Sequence, residues 1–371
     1  MNILYFTNIK LEARNSTGEG VHKKIYSQIE SMRKQGHEVY ICHKTPAGNF
    51  QITGNDLIEP ISPGEGTKQY DEIIDFVKSH SIDFCYIRNT GSIKQIYLTR
   101  KLRKNSVKVF LEIPTYPFLK ESTKNFGPVG TLLRRIKYHV VYNTLGLFLD
   151  RIVTFSDDRK IWGVKTINIS NGVDPAAIRL ARHTDSDIFR ITAVAALAFW
   201  HGYDRLVEGV KNYIDRGMMA RRPLHVKIVG GKSTNPEYIR LTGMIADYGL
   251  TDVIELTGEL YGAELDKVFD DTDVCVGSLG RHRTGNSRMK SLKNVEYAHR
   301  GLPFCYSESN SDFDDRPFTY KVPADDSAVD IEGLINFAKE CTMSPEEIRD
   351  SLPDFSWDAQ MRRVLDEIPR C

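Results

Sequence analysis

The sequence predicts an α/β protein of two doubly wound, parallel-sheet domains in tandem. Three observations predict it. Short β-branched or aromatic runs alternate with helix-period segments from the first residue. The alternation breaks once, at the turn-rich ISNGVDP of residues 169–175, and then starts again. Finally, 371 residues exceed what one hydrophobic core usually supports.

The first series of strands reads NILYFT, EVYIC, DFCYIR, VKVFLEI and RIVTF, with helical stretches such as VHKKIYSQIESMRKQG between them. Strand–helix alternation of this kind builds βαβ units around a parallel sheet covered on both faces. The Gly/Pro-rich TPAGNFQITGNDLIEPISPGEG is expected to be a long loop. The second series reads FRITAVAALA, LHVKIVGG, DVIELTGEL and DVCVGSL. This places a Rossmann-like domain at 1–172 and a second at 173–353. The last amphipathic segment, FSWDAQMRRVLDEI within 354–371, either completes the second domain or crosses back to brace the first. Doubly wound sheets bind ligands at the carboxyl ends of their strands, so two such domains facing one another are expected to enclose a cleft.

Composition excludes several classes. Fifty basic and 49 acidic residues give a net charge of +1, so the chain does not hold nucleic acid by bulk charge and any anion site must be local. Six scattered cysteines, without a C-x-x-C pair or histidines at ligand spacing, suggest neither a disulfide framework nor a zinc site. MNILYFTN lacks the basic start and cleavage site of a leader, and no apolar run approaches the roughly 18 residues of a membrane span. A cytoplasmic chain is expected.

Three constellations carry chemistry. In TGEGVHKK, Gly18 and Gly20 allow close backbone approach, and a helix starting near Val21 aims free N–H groups at a phosphate-sized anion. The alternative is an ordinary strand-to-helix turn. In FWHGYDRL, Gly202 suits a tight corner, while Tyr203, Leu206 and Val210 follow helical spacing and read as core. His201 is either a structural hydrogen-bonder or a donor to phosphate or sugar. In GSLGRHRTGNSRMKSLKNVEYAHRGLPF, the cations Arg281, His282, Arg283, Arg288, Lys290 and Lys293 crowd a loop beyond a strand end. Glu296, on the helix that follows, can accept from two vicinal ribose hydroxyls.

Together GEGVHKKI, ISNGVD, FWHGYDRL, VKIVGG with VIELTGEL, and VEYAHRGLPF resemble, in order and over nearly the whole chain, the retaining glycosyltransferases of the family-4 type. The resemblance implies the GT-B fold, two Rossmann-like domains facing across a cleft. HRTGNSRMKSLKNVEYAHRGLPF, YIRN and LEIPTYPF look most like bacterial enzymes of capsular or exopolysaccharide synthesis.

By this resemblance the backbone at Gly18, Gly20 and Val21 would face the donor's diphosphate and Glu296 would hold its ribose, while the basic loop adds Arg281, His282, Arg283, Ser291 and Leu292 to the expected donor site. Glu112, His201, Arg288 and Lys293 would be catalytic. The departures are specific. Arg288 stands where the first Glu of the family's E-x7-E motif touches the donor sugar, and Glu296 matches the second. His201 replaces a phosphate-binding Lys, and the Arg usually preceding that Lys is missing. The His usual after the fourth strand is absent too, which leaves Glu112 as the nearest polar residue.

The implied reaction moves a sugar from a nucleotide-diphosphate sugar, UDP favoured, to a glycan or lipid-linked saccharide acceptor. It proceeds with retention and without a cofactor or metal, since no D-x-D motif stands at a strand end. A catalytically inactive GT-B partner subunit and a sugar-nucleotide epimerase are the alternatives. Residues 127–150, GPVGTLLRRIKYHVVYNTLGLFLD, mix apolar side chains with Arg134, Arg135 and Lys137. They read either as a packed helix or as a contact with an anionic membrane at the inner face of the cell.

Overall fold

A computed structural model describes residues 1–11, 20–54, 57–63, 67–117, 128–184 and 186–368. The chain divides into two compact units, Met1–Gly172 with Ser356–Cys371, and Val173–Phe355.

The first unit begins with β1 (Asn2–Lys10), α1 (Gly20–Lys34) and β2 (Glu38–Lys44). The expected loop that follows instead contains two strands, β3 (Phe50–Gly54), antiparallel to β2, and β4 (Leu57–Pro60), antiparallel to β3. Its Phe50 and Ile52 alternate inward, a period-2 pattern that the flanking Gly and Pro obscure in sequence. Then come α2 (Lys68–Ser79), β5 (Phe84–Arg88), α3 (Lys94–Lys104), β6 (Lys108–Ile113), α4 (Pro128–Gly146), β7 (Arg151–Thr154), β8 (Lys160–Ile161) and β9 (Val164–Asn168). The sheet order is β4-β3-β2-β1-β5-β6-β7-β9-β8, parallel from β2 to β9. Both faces are buried. Leu4 and Phe6 of β1 join one apolar cluster, and Ile3 and Tyr5 join the other, which is why the strand reads as continuously apolar.

The second unit contains β10 (Phe189–Val194), α5 (Tyr203–Asp215), β11 (Leu224–Val229), α6 (Pro236–Asp247), β12 (Ile254–Gly258), α7 (Gly262–Asp270), β13 (Val274–Val276), α8 (Leu292–His299), β14 (Phe304–Tyr306), β15 (Thr319–Lys321), α9 (Ile331–Glu340) and α10 (Pro345–Asp350). Its sheet is parallel throughout, in the order β12-β11-β10-β13-β14-β15. The chain winds outward from β10 in one direction and from β13 in the other. The switch point, where ligands enter such sheets, therefore lies between the loops that follow these two strands.

The last helix, α11 (Trp357–Asp366), belongs to the first unit. Trp357, Met361, Val364 and Leu365 are buried with Ile25 and Ile29 of α1 in the Ile3/Tyr5 cluster. Ser31 Oγ donates to the Trp357 carbonyl at 3.0 Å. Ser356 caps the helix by accepting from the Ala359 N–H at 3.2 Å.

Candidate active site

The corner FWHG closes the switch point of the second unit. Phe199–His201 make one 3-10 turn, and Gly202 then takes a left-handed φ of 66° to start α5. A Cβ on Gly202 would fall 2.5 Å from the Gly280 amide nitrogen. The loop after β10 and the loop after β13 thus meet backbone to backbone, and the Leu279 N–H donates to the His201 carbonyl at 2.8 Å. Arg205 of α5, 1 % exposed, secures the same loop from beneath by donating to the carbonyls of Leu279, Pro323 and Ser327. A buried guanidinium needs this degree of satisfaction.

His201 is buried beside Tyr203, their rings 5.7 Å apart and nearly parallel. Its Nδ1 accepts from the Ala198 N–H at 3.1 Å, so the ring proton sits on Nε2. Burial, with the charges of Lys293 and Arg281, holds its pKa well below the usual 6.5. This histidine is held neutral.

Lys293 is the second residue of α8, its Nζ 3.4 Å from the Tyr203 hydroxyl. Burial pushes it down to about 7; Arg281 pushes the same way and Glu308 opposes. The Arg281 guanidinium sits 5.9 Å from the centre of a Trp200 ring. Ser291 stands at the N-cap of α8 without capping it through its side chain, and Leu292 is exposed. The helix start therefore presents backbone N–H groups beside Lys293 and Arg281, an arrangement suited to a diphosphate.

The other cations of this loop, and Glu296, are placed differently. Arg283 is engaged within the unit: it grips both Asp204 carboxylate oxygens at 2.9 Å and Asp326 at 2.7 Å. That makes it a brace between α5 and the loop, where the sequence reads it as a donor-binding cation. His282 Nε2 lies 3.1 Å from Asp326. Arg288 is exposed, its backbone bridged to Ser309, and Lys290 pairs with Asp312 at 3.0 Å. Glu296 is partly exposed, and Arg300 holds its Oε1 at 3.0 Å.

Sequence reasoning missed what lies beneath. Ser278, Asn286, Asn294, Glu308 and Asn310 are each at most 1 % exposed. Ser278 Oγ, both amide atoms of Asn286 and Asn294, and Asn310 Nδ2 have no hydrogen-bond partner among the described residues, and the Glu308 carboxylate takes no hydrogen bond from another residue. They gather at the carboxyl ends of β13 and β14. The Ser307 N–H donates to the Ser278 carbonyl at 3.0 Å, the Ser309 N–H to that of Ser287 at 2.7 Å, and a Cβ on Gly277 would lie 2.8 Å from Asn294 Oδ1. Burial pushes the Glu308 carboxyl up, against the pull of its own N–H and of Arg281, Lys293 and Lys321. Each unmet buried group costs about 1–3 kcal/mol, so their concentration here marks a place built to be filled by ligand or water. The signal was present in SESN, a Glu two residues past a strand end.

In the first unit, Gly20 opens α1, Val21 lies in its first turn, and Gly18 falls outside the described residues. Glu112, paired in register with Arg88 across β5 and β6, is fully buried. Arg88 donates to its Oε1, and Gln28 Nε2 and the Tyr86 hydroxyl each donate to Oε2 at 2.7 Å. Lys24 Nζ stands 3.9 Å from Oε1, 3.4 Å from the Phe155 ring centre and 3.1 Å from Asn171 Oδ1. Burial raises the Glu112 carboxyl, but Arg88, Lys24, Tyr86 and Gln28 outweigh it and hold it below the usual range. Glu112 is thus the internal counter-charge of Arg88 and Lys24. Its saturated oxygens leave it a positioning role where the sequence suggested contact with a reacting sugar.

No family model matches the chain, and no curated protein matches it in sequence. Solved structures do match it over nearly its whole length. Sucrose-phosphate synthase from Thermosynechococcus elongatus superposes with a TM-score of 0.71 at 12 % identity, covering 98 % of this chain and 97 % of that one. HepE from Anabaena in complex with UDP gives 0.66 at 12 % identity, covering 99 % of each. The catalytic domain of starch synthase IV from Arabidopsis thaliana, bound to ADP and acarbose, gives 0.63 at 11 % identity, covering 99 % and 98 %. At such identity the likeness concerns architecture, and with the two parallel sheets described above it assigns this chain the GT-B fold.

Proposed function

We propose that the chain is a retaining glycosyltransferase of the family-4 type that transfers a sugar from a nucleotide-diphosphate sugar, with UDP favoured. The carrying observation is the second unit's switch point, where Lys293, Arg281 and the open start of α8 stand over a nest of unpartnered buried polar groups. UDP is supported by the complexes of HepE with UDP and with UDP-glucose.

In the proposed reaction the acceptor oxygen bonds to the anomeric carbon as the bond from that carbon to the diphosphate oxygen breaks. The acceptor's proton passes to the leaving diphosphate on the same face. Lys293, Arg281 and the α8 N–H groups stabilise the departing charge, and neutral His201 donates from Nε2. Glu296 receives the ribose hydroxyls on the oxygen that Arg300 does not hold. Because protein cations carry the diphosphate, EDTA is expected to leave turnover unchanged, and restoration only by added metal would overturn that part.

The acceptor is proposed to be a glycan or lipid-linked saccharide of a bacterial surface polysaccharide. Support comes from α4, where Leu132, Leu133, Ile136 and Val140 are 53–62 % exposed and, with Leu147 just beyond the helix, fall on one arc of about 100°. Exposed Arg135, Lys137 and His139 flank this arc, and the helix carries no acidic residue. An anionic lipid surface complements such a face. No helix among the described residues is long and apolar enough to cross a membrane.

The deciding experiment is a thermal-shift screen against UDP, GDP, TDP and ADP and their sugar esters, followed by turnover assays with any that bind. Stabilisation by one nucleotide together with sugar release supports the reading. Binding without turnover moves the chain to an inactive GT-B partner, and no binding by any of them removes the donor site.

A further inference from the structure

We propose that Glu308 reads hydroxyl groups of the transferred sugar and selects an uncharged hexose over a uronic acid. This rests on the donor-site reading above and adds to it a residue and a substrate class.

The place of Glu308 in the fold is the first argument. The acid that the family resemblance expects to touch the sugar is replaced by Arg288. The backbone at Arg288 bridges in parallel to Ser309, the immediate neighbour of Glu308. A carboxylate is therefore still supplied next to that position, from the loop after β14 instead of the loop after β13.

Chemistry supplies the second argument. The cations Lys293 and Arg281 and the N–H groups of α8 suit a diphosphate, whereas a carboxylate repels one. Glu308 is 1 % exposed and its carboxylate takes no hydrogen bond from another residue, although Lys321 donates to its backbone carbonyl, so the partner of the carboxylate must be a donor without negative charge. Vicinal sugar hydroxyls are such donors, and each also needs groups to donate to and accept from in turn. The neighbouring Ser278, Asn286, Asn294 and Asn310 offer both kinds of unpartnered atom. A uronic acid would bring a second carboxylate against Glu308 in a buried site, where like charges are strongly disfavoured.

The competing role is structural. Glu308 would then serve only as a counter-charge to Lys293, Arg281 and Lys321, with water filling the nest. The two roles differ before any sugar is added, since losing a needed counter-charge destabilises the free protein, whereas neutralising an unpaired buried carboxylate does not.

The test compares the wild type with Glu308→Gln. Melting temperature is measured without ligand. Calorimetry then uses UDP, GDP, TDP and ADP against UDP-glucose, UDP-galactose, UDP-N-acetylglucosamine, GDP-mannose, TDP-glucose and ADP-glucose, with UDP-glucuronate as the charged comparison. The expected result is an unchanged or higher melting temperature and unweakened binding of the free nucleotide. The affinity of the preferred sugar ester relative to its nucleotide should fall roughly ten- to a hundredfold, with discrimination against UDP-glucuronate reduced. The inference is overturned if Glu308→Gln keeps the wild-type ratio, or if it lowers the melting temperature and weakens nucleotide and ester alike. Failure of every free nucleotide to bind the wild type would overturn the donor-site reading and this inference with it. Binding of the nucleotide with an unaltered ester ratio would overturn this inference alone.

Discussion

Gly202 and Gly280 touch backbone to backbone, and each excludes a side chain from the other's position: a Cβ on Gly202 would lie 2.5 Å from the Gly280 nitrogen, and one on Gly280 would lie 3.0 Å from the Gly202 Cα. Both switch-point loops are held at that crossing. Gly202→Ala adds a backbone clash to a left-handed φ of 66° and is expected to cost roughly 2–5 kcal/mol of stability. Gly202→Asn tolerates the φ but retains the clash. Urea denaturation should find both variants similarly damaged, and a near-normal Gly202→Asn would show that the close approach is unimportant.

Lys293 and Arg283 are expected to separate experimentally. Lys293→Ala removes a proposed phosphate contact worth about 1.5–3 kcal/mol, so turnover should fall roughly ten- to a hundredfold with little loss of stability. Arg283→Ala leaves Asp204 and Asp326 without their shared partner, so its first effect should be a lower melting temperature. Paired thermal melts and steady-state assays distinguish the two, and equal stability loss in both variants would contradict the assignment.

Donor affinity should depend on pH through Lys293 and not through His201. Lys293 in the free protein loses its proton near 7, facing Arg281, Glu308, Tyr203 and His201. A bound diphosphate favours the charged form, so binding takes up a proton above about pH 7 and weakens as pH rises. His201, held well below 6.5, stays neutral over that range. Calorimetry between pH 6 and 9 should show the decline in His201→Gln and its loss in Lys293→Met.

Lys24 makes the first unit's stability pH-dependent. Its pKa is lowered from 10.5 to about 7 by burial; the charge of Arg88 acts in the same direction and Glu112 opposes. Between those values the unfolded chain binds more protons than the folded one, so stability rises with pH, by up to about 1.4 kcal/mol per unit. Below about 7 the lysine is charged in both states and its burial penalty is at its fullest. Relative to Lys24→Met, the wild type should gain stability from pH 7 to 9 in urea titrations, and parallel curves would contradict the shift.

The exposed face of α4 should bind lipid. Sedimentation with phosphatidylglycerol vesicles at low salt is expected to carry the wild type down and to leave behind the Leu133→Ser/Ile136→Ser/Val140→Ser variant. Salt should weaken binding through Arg135 and Lys137. A wild type that self-associates without binding vesicles would point to a second copy as the occupant.

The architecture was largely legible in the sequence because strand and helix periods alternate cleanly and both sheets are buried on two faces. The hairpin of β3 and β4 was not, because Gly and Pro punctuate it like a loop. At the candidate site, the crowded cations of GRHRTGNSRMKS were visible, but their partners were not. Asp204 lies 79 positions from the Arg283 it engages, and no local pattern announces that pairing. Glu308 and the buried asparagines carry no spacing signature, since they converge only where the loops after β13 and β14 meet the start of α8. Glu112 looked available because a lone acid at a strand end gives no hint that Arg88, Gln28, Tyr86 and Lys24 surround it.

The return of α11 sets an order on synthesis. Ser31 and Trp357 are 326 residues apart in the chain yet share a hydrogen bond inside one unit, and the Trp357 ring fills the space against Gly172 where a Cβ would lie only 2.3 Å from it. A ribosome finishes the whole of the second unit before it makes the helix that seals the first. The nascent first unit must therefore wait without Trp357, Met361, Val364 and Leu365, which complete the cluster around Ile25 and Ile29 of α1. That interval is when this chain is most open to aggregation and most dependent on a chaperone's cover.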